Sequence, residues 1–105
     1  MQHVTMADKS LLIGDPVAAL LLEYAALVAQ IGTGSTVQVN AIDASGSSVV
    51  ASFLFNSGTV LMVESTQSTL PEPDNGEAEA DLRERLESYA FDNESLIGLG
   101  QGGEP

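Results

Sequence analysis

The chain reads as an α+β fold, built from a long N-terminal helix, a three-stranded antiparallel meander, a C-terminal amphipathic helix and a flexible tail. Three observations predict it. Residues Asp15–Ile31 carry large apolar side chains at helical spacing, and residues 36–64 alternate at the strand period between two short glycine-containing links. Residues 77–91 then return to helical spacing after a proline-containing linker. At 105 residues this is one domain, here taken as residues 10–91, flanked by a flexible leader over 1–9 and the tail over 92–105.

The first helix has the clearest signal. Asp15 stands where a side chain accepts hydrogen bonds from free backbone N–H groups, and Pro16 where a missing N–H costs nothing. The interior is rich in Ala and Leu, and Gly32 and Gly34 follow as a stop. At about 100° per residue, Val17, Leu20, Leu21, Tyr24, Leu27, Val28 and Ile31 share one stripe, the expected core face. The opposite side holds Ala18, Leu22, Ala25 and Ala29, small enough together to admit a second helix at close range.

The leader is polar, with Met6 as an alternative start, and Leu11–Ile13 is read as cover for the edge of the core. Strands are expected at 36–42, Ser48–Phe55 and 59–64, joined through Gly46 and Gly58. Hairpin registers follow from the two loops. They place Ala41, Val39 and Val37 opposite Val49, Ala51 and Phe53, and in turn Phe53 and Ala51 opposite Leu61 and Val63. One sheet face is then wholly apolar and meets the helix. The other mixes Thr36, Gln38, Asn40, Ser52 and Glu64 with Val50, Leu54, Val60 and Met62, which is too apolar to be left wholly to water. The linker over 65–76 leads to the second helix, whose Leu82, Leu86, Tyr89 and Ala90 make a narrow stripe in need of a docking surface. The mixed sheet face is the expected one.

Charge bounds the function. Fifteen acidic residues against three basic ones give a net charge of −12, and residues 66–105 hold ten of those acids against Arg83 and Arg85. Such a surface opposes direct contact with nucleic acid or an anionic membrane. Asp15, Pro16 and Glu23 interrupt the apolar N-terminal segment, and no basic run precedes it, so a cytoplasmic location is expected.

Catalytic, metal and cofactor chemistry finds little to use. The lone histidine, His3, cannot supply a nucleophile, base and acid constellation from the leader, and a chain without cysteine offers no structural zinc site. The stretch Glu72–Glu77 lacks carboxylates where a calcium loop requires them and reads as a turn with a helix cap. The G-x-G runs at Gly32 and Gly98 do not sit between a strand and a helix, the order that a dinucleotide needs. The carboxylates of residues 77–87 read as a solvated face. No catalytic, cofactor-binding or metal-binding residue is therefore assigned.

What remains is surface. The leading expectation is a non-enzymatic protein-interaction module, homodimeric and adaptor- or chaperone-like, with Ala18, Leu22, Ala25, Ala29, Val50, Leu54, Val60 and Met62 as candidate interface residues. The alternative is an acidic inhibitor that imitates nucleic acid and blocks a basic protein. A third is an enzyme using Gln38, Asn40, Ser52 and Glu64 on the mixed face. The order helix, three strands, helix is similar in topology alone to double-stranded-RNA-binding domains, whose basic patch is missing here, and to small acidic dimeric secretion chaperones.

Overall fold

The computed structural model describes the backbone of residues 1–103 and the side chains of residues 1–89. It contains five strands and two helices in the order β1 (Gln2–Met6), β2 (Lys9–Ile13), α1 (Asp15–Ile31), β3 (Ser35–Ile42), β4 (Ser48–Phe55), β5 (Leu61–Ser65) and α2 (Gly76–Gly103). The strands form one antiparallel sheet in the order β4-β3-β2-β1-β5. The three-stranded meander expected from the sequence, and with it the topological likenesses drawn from that order, is therefore incorrect.

Two strands come from the supposed leader and core cover. Residues 2–13 alternate strictly: Val4 and Met6 face the core with Leu11 and Ile13, while His3 and Thr5 face outward with Ser10 and Leu12. They were illegible as a hairpin because the turn, Ala7-Asp8, has neither Gly nor Asn. Ala7 adopts φ 57°, a left-handed conformation that turn sequences usually reserve for Gly.

β5 also has a different neighbour from the expected one. Its side-chain parity is as anticipated, with Leu61 and Val63 toward the core, but they pair with Met6 and Val4 of β1 instead of with β4. Strand period decides which face a residue takes, whereas the neighbour is decided by competition among strands. Here β1 provides an apolar partner for β5, and the pairing leaves β1 bonded on both sides.

This arrangement forces the sheet to coil. β4 and β5 lie at opposite edges, about 19 Å apart in a flat sheet of five strands at ~4.8 Å spacing. Residues 56–60 join them, and the Thr59 N–H donates to the Asn56 carbonyl at 3.2 Å, which folds that connection back on itself. A flat sheet is out of reach, and the curl leaves β4 lining a common groove with Val4 and Met6 of β1 and Leu11 of β2. The same staggering leaves β2 and β3 paired only at Leu12–Ile42, while the β3–β4 hairpin follows the expected register from Ser35–Phe55 to Ile42–Ser48.

α1 fills the concave side with the expected bounds but a rotated face. Val17, Ala18, Leu21, Ala25 and Val28 are buried, whereas Leu20, Tyr24 and Leu27 are half-buried on the flank and Ile31 is exposed. Small Ala18 and Ala25 let the helix approach the sheet, and the bulkier flank is left to meet α2. The N-cap is Gly14, not Asp15; the Glu72 carboxylate accepts the Asp15 N–H at 3.2 Å, and the Asp15 side chain instead accepts from Gln2 Nε2 at 3.1 Å. Gly32 ends the helix in the left-handed conformation, its N–H bonded to the Val28 carbonyl.

α2 packs along α1 and the β3 edge and not on the mixed sheet face. Leu82 is fully buried in the common core, with Leu86 and Tyr89 half-buried beside Glu23, Leu27 and Gln30. The helix continues to Gly103, beyond the expected end at residue 91; the side chain of Ala90 and those of the tail lie outside the described residues.

Candidate interaction surface

β3 has one edge bonded to β4, and on the N-terminal side of Ile42 its other edge extends past the end of β2. Two side chains close it. Asn75, buried just before α2, accepts the Asn40 N–H on Oδ1 at 2.7 Å and donates Nδ2 to the Asn40 carbonyl at 2.8 Å, replacing a missing strand residue. Arg85 donates to the Thr36 carbonyl at 3.0 Å and reaches the Tyr24 and Ser35 hydroxyls, which share a hydrogen bond of 2.6 Å; its guanidinium carbon lies 5.3 Å from the Tyr24 ring centre. Asp81 holds its other face at 2.9 Å. Neither residue stood out in the sequence. A hint was present in Arg85, one of only three cations, placed within a stripe otherwise meant for packing.

Among the described residues, no side chain covers the edge of β4 in this way. Its odd-numbered residues face the core, and its even-numbered residues lie on the convex face, where Val50 is 62 % and Leu54 57 % exposed. Beside this edge lies a groove of about 410 Å³ on the concave side, lined by Val4, Met6, Leu11, Val49, Ala51 and Phe53. Lys9 and Asp43 stand at its rim. The Asp43 carboxyl is held below its usual pKa, first by the Ser45 hydroxyl at 2.7 Å, then by the Ser47 and Ser45 N–H groups, with Lys9 contributing at longer range.

The candidate interface residues divide. Ala18 and Ala25 are buried against the sheet, so the four-residue helix seam does not reach the surface; Leu22 and Ala29 remain exposed on its flank. Val50 and Leu54 stand together on β4. Met62 lies on the opposite edge strand, and Val60, 80 % exposed, lies in the connection between them. The centre of the convex face is polar, where Thr5 Oγ1 donates to Ser10 Oγ at 3.2 Å and Ser10 Oγ lies 3.3 Å from His3 Nδ1.

The residues considered for catalysis do not converge. Gln38 Nε2 donates to Ser52 Oγ at 3.5 Å, but the Asn40 side chain is engaged by the Asp74 carbonyl and Glu64 sits beside His3 on the far side of the sheet. In the stretch considered for calcium, Asp74 accepts the Gly76 N–H and Glu72 faces Gly14 and Asp15. Among the described residues no three His, Asp or Glu side chains gather as a metal site, and no helix is long and apolar enough to cross a membrane. Comparison with known proteins finds no matching family model, curated relative or solved structure.

Proposed function

We propose that this chain is a non-enzymatic protein-interaction module of the cytoplasm that works as a homodimer and holds protein segments in an adaptor- or chaperone-like manner. One observation carries the reading: a chain of net charge −12 keeps its eight-residue edge strand β4 free of charge and exposes Val50 and Leu54 along it. An open strand edge with apolar flanks is a liability unless something pairs with it. Repulsion between two such acidic chains makes an uncharged edge the favourable place for them to meet. Sedimentation velocity at tens of micromolar tests the homodimer, with a species of twice the 10.9 kDa chain mass expected. A strict monomer under those conditions overturns it.

A second reading has its own observation. α2 exposes Glu77, Asp81, Glu84 and Glu87, a row of carboxylates suited to a basic protein's nucleic-acid site. Its test is salt-sensitive binding to a basic protein domain that is competed by nucleic acid.

A further inference from the structure

We propose that β4 pairs with β4 of a second copy across a two-fold axis at Ser52, joining the two sheets. This rests on the homodimeric reading above and specifies its contact. The direction of the backbone groups comes first. Because Asn75 takes the N–H and C=O of Asn40, the even-numbered residues of β3 point away from β4 and the odd-numbered ones bond to it. The register Val37–Phe53 and Val39–Ala51 then directs the odd-numbered residues of β4 inward. Val50, Ser52 and Leu54 direct their N–H and C=O groups to the free edge.

Two identical antiparallel strands related by a two-fold axis pair each residue with its mirror position. Every register centred on a residue brings the free backbone groups together, but with the axis at 50 or 54 only one of Val50 and Leu54 meets an apolar partner, which leaves 51, 52 and 53 to compare. Centring at 51 sets Val50 against Ser52, and centring at 53 sets Leu54 against Ser52, so each wastes an exposed apolar side chain. With the axis at Ser52, Val50 faces Leu54 in both directions on the convex side, and Ala51 faces Phe53 on the concave side. Three residue pairs then exchange about six backbone hydrogen bonds.

Charge selects this edge over the other. From Ala44 to Val63 there is no ionisable side chain, whereas the opposite edge strand β5 is five residues long and carries Glu64. β4 is thus the edge along which two chains of net charge −12 approach with the least repulsion. The isologous contact uses the β4 edge of both copies, so this contact closes at two.

The absence of cysteine makes the register directly testable, since Ser52→Cys introduces the sole thiol. Hydrogen-bonded antiparallel partners have Cα atoms about 5.5 Å apart, within disulfide range. Mild oxidation of Ser52→Cys should give a covalent dimer. Ser48→Cys, about 27 Å from its counterpart in this register, should not. A second arm uses Val50→Glu, expected to weaken dimerisation at least tenfold in sedimentation equilibrium while circular dichroism stays unchanged. Val50→Glu combined with Leu54→Lys, which keeps the native net charge and sets Glu opposite Lys twice, should recover affinity to within about threefold. A dimer that neither cross-links through Ser52→Cys nor responds to Val50→Glu overturns this contact and leaves the homodimeric reading standing. Equal cross-linking by Ser48→Cys also overturns the contact, and a strict monomer overturns both.

Discussion

Asn75 shows how one side chain stands in for a strand. Its amide offers the donor and acceptor that a neighbouring backbone residue would have offered to Asn40, and its own carbonyl accepts the Glu79 N–H at 2.8 Å to begin α2. Sheet edge and helix start are thus fixed by the same residue. Asn75→Ala should cost about 1–2 kcal/mol in urea denaturation, because it leaves the two Asn40 backbone groups without their part-buried partner. Asn75→Asp should cost no less, since a carboxylate still accepts from the Asn40 N–H but opposes its carbonyl. A loss under about 0.5 kcal/mol for both would show that water replaces the clamp. Asp43 makes a pH prediction at the same scale. Its folded-state pKa is depressed by the Ser45 hydroxyl and the Ser47 and Ser45 N–H groups, so its contribution to stability is present above the unfolded value near ~3.9 and fades as pH falls through the folded one. Asp43→Asn should therefore lower stability at pH 7 and make the loss on acidification below about pH 4 shallower than in the native chain.

Among the elements, the contact between α1, α2 and β3 depends on Arg85 more than its single charge suggests. It binds a strand carbonyl, two hydroxyls and Asp81 while its guanidinium lies over Tyr24. Lysine has no planar fork to reproduce that set. Arg85→Lys should lower stability by about 1–2 kcal/mol, with a coupling to Tyr24→Phe in a double-mutant cycle. A loss equal to that of Arg83→Lys, whose only ion pair among the described residues is one at 3.7 Å to Glu79, would remove Arg85 from this role. These long-range bonds also mark the limit of what the chain spells out locally. The α1 bounds and the β3–β4 register were legible because Pro16, Gly32 and the alternation of residues 35–55 act within a few residues. The β1–β2 hairpin was hidden by a turn without Gly or Asn, and the partner of β5 by a choice made over nearly sixty residues of separation. The candidate surface fared similarly. Val50 and Leu54 could be placed on an outward face from period alone, but the burial of Ala18 and Ala25 depends on how closely α1 lies on the coiled sheet.

For the whole molecule, charge separates the two functional readings by the sign of a salt effect. At low ionic strength the Debye length is about 30 Å at 0.01 M, comparable with a small domain, so each chain feels the net −12 of the other. At 0.15 M it is about 8 Å, and little beyond the contact is felt. The proposed β4 contact contains no ion pair to be screened, only backbone hydrogen bonds and apolar pairs. Salt therefore removes the repulsion and leaves the attraction intact. Dimerisation through β4 should tighten between 0.01 and 0.15 M sodium chloride, by several-fold or more in the dissociation constant measured by sedimentation equilibrium. Binding to a basic partner through the carboxylates of α2 should weaken over the same range, because there the attraction itself is screened. Homodimer affinity that falls with added salt would mean that opposite charges meet across the contact. Lys9, Arg83 and Arg85 are the only cationic side chains available for that, and none lies on β4, so such a result would move the interface away from this edge.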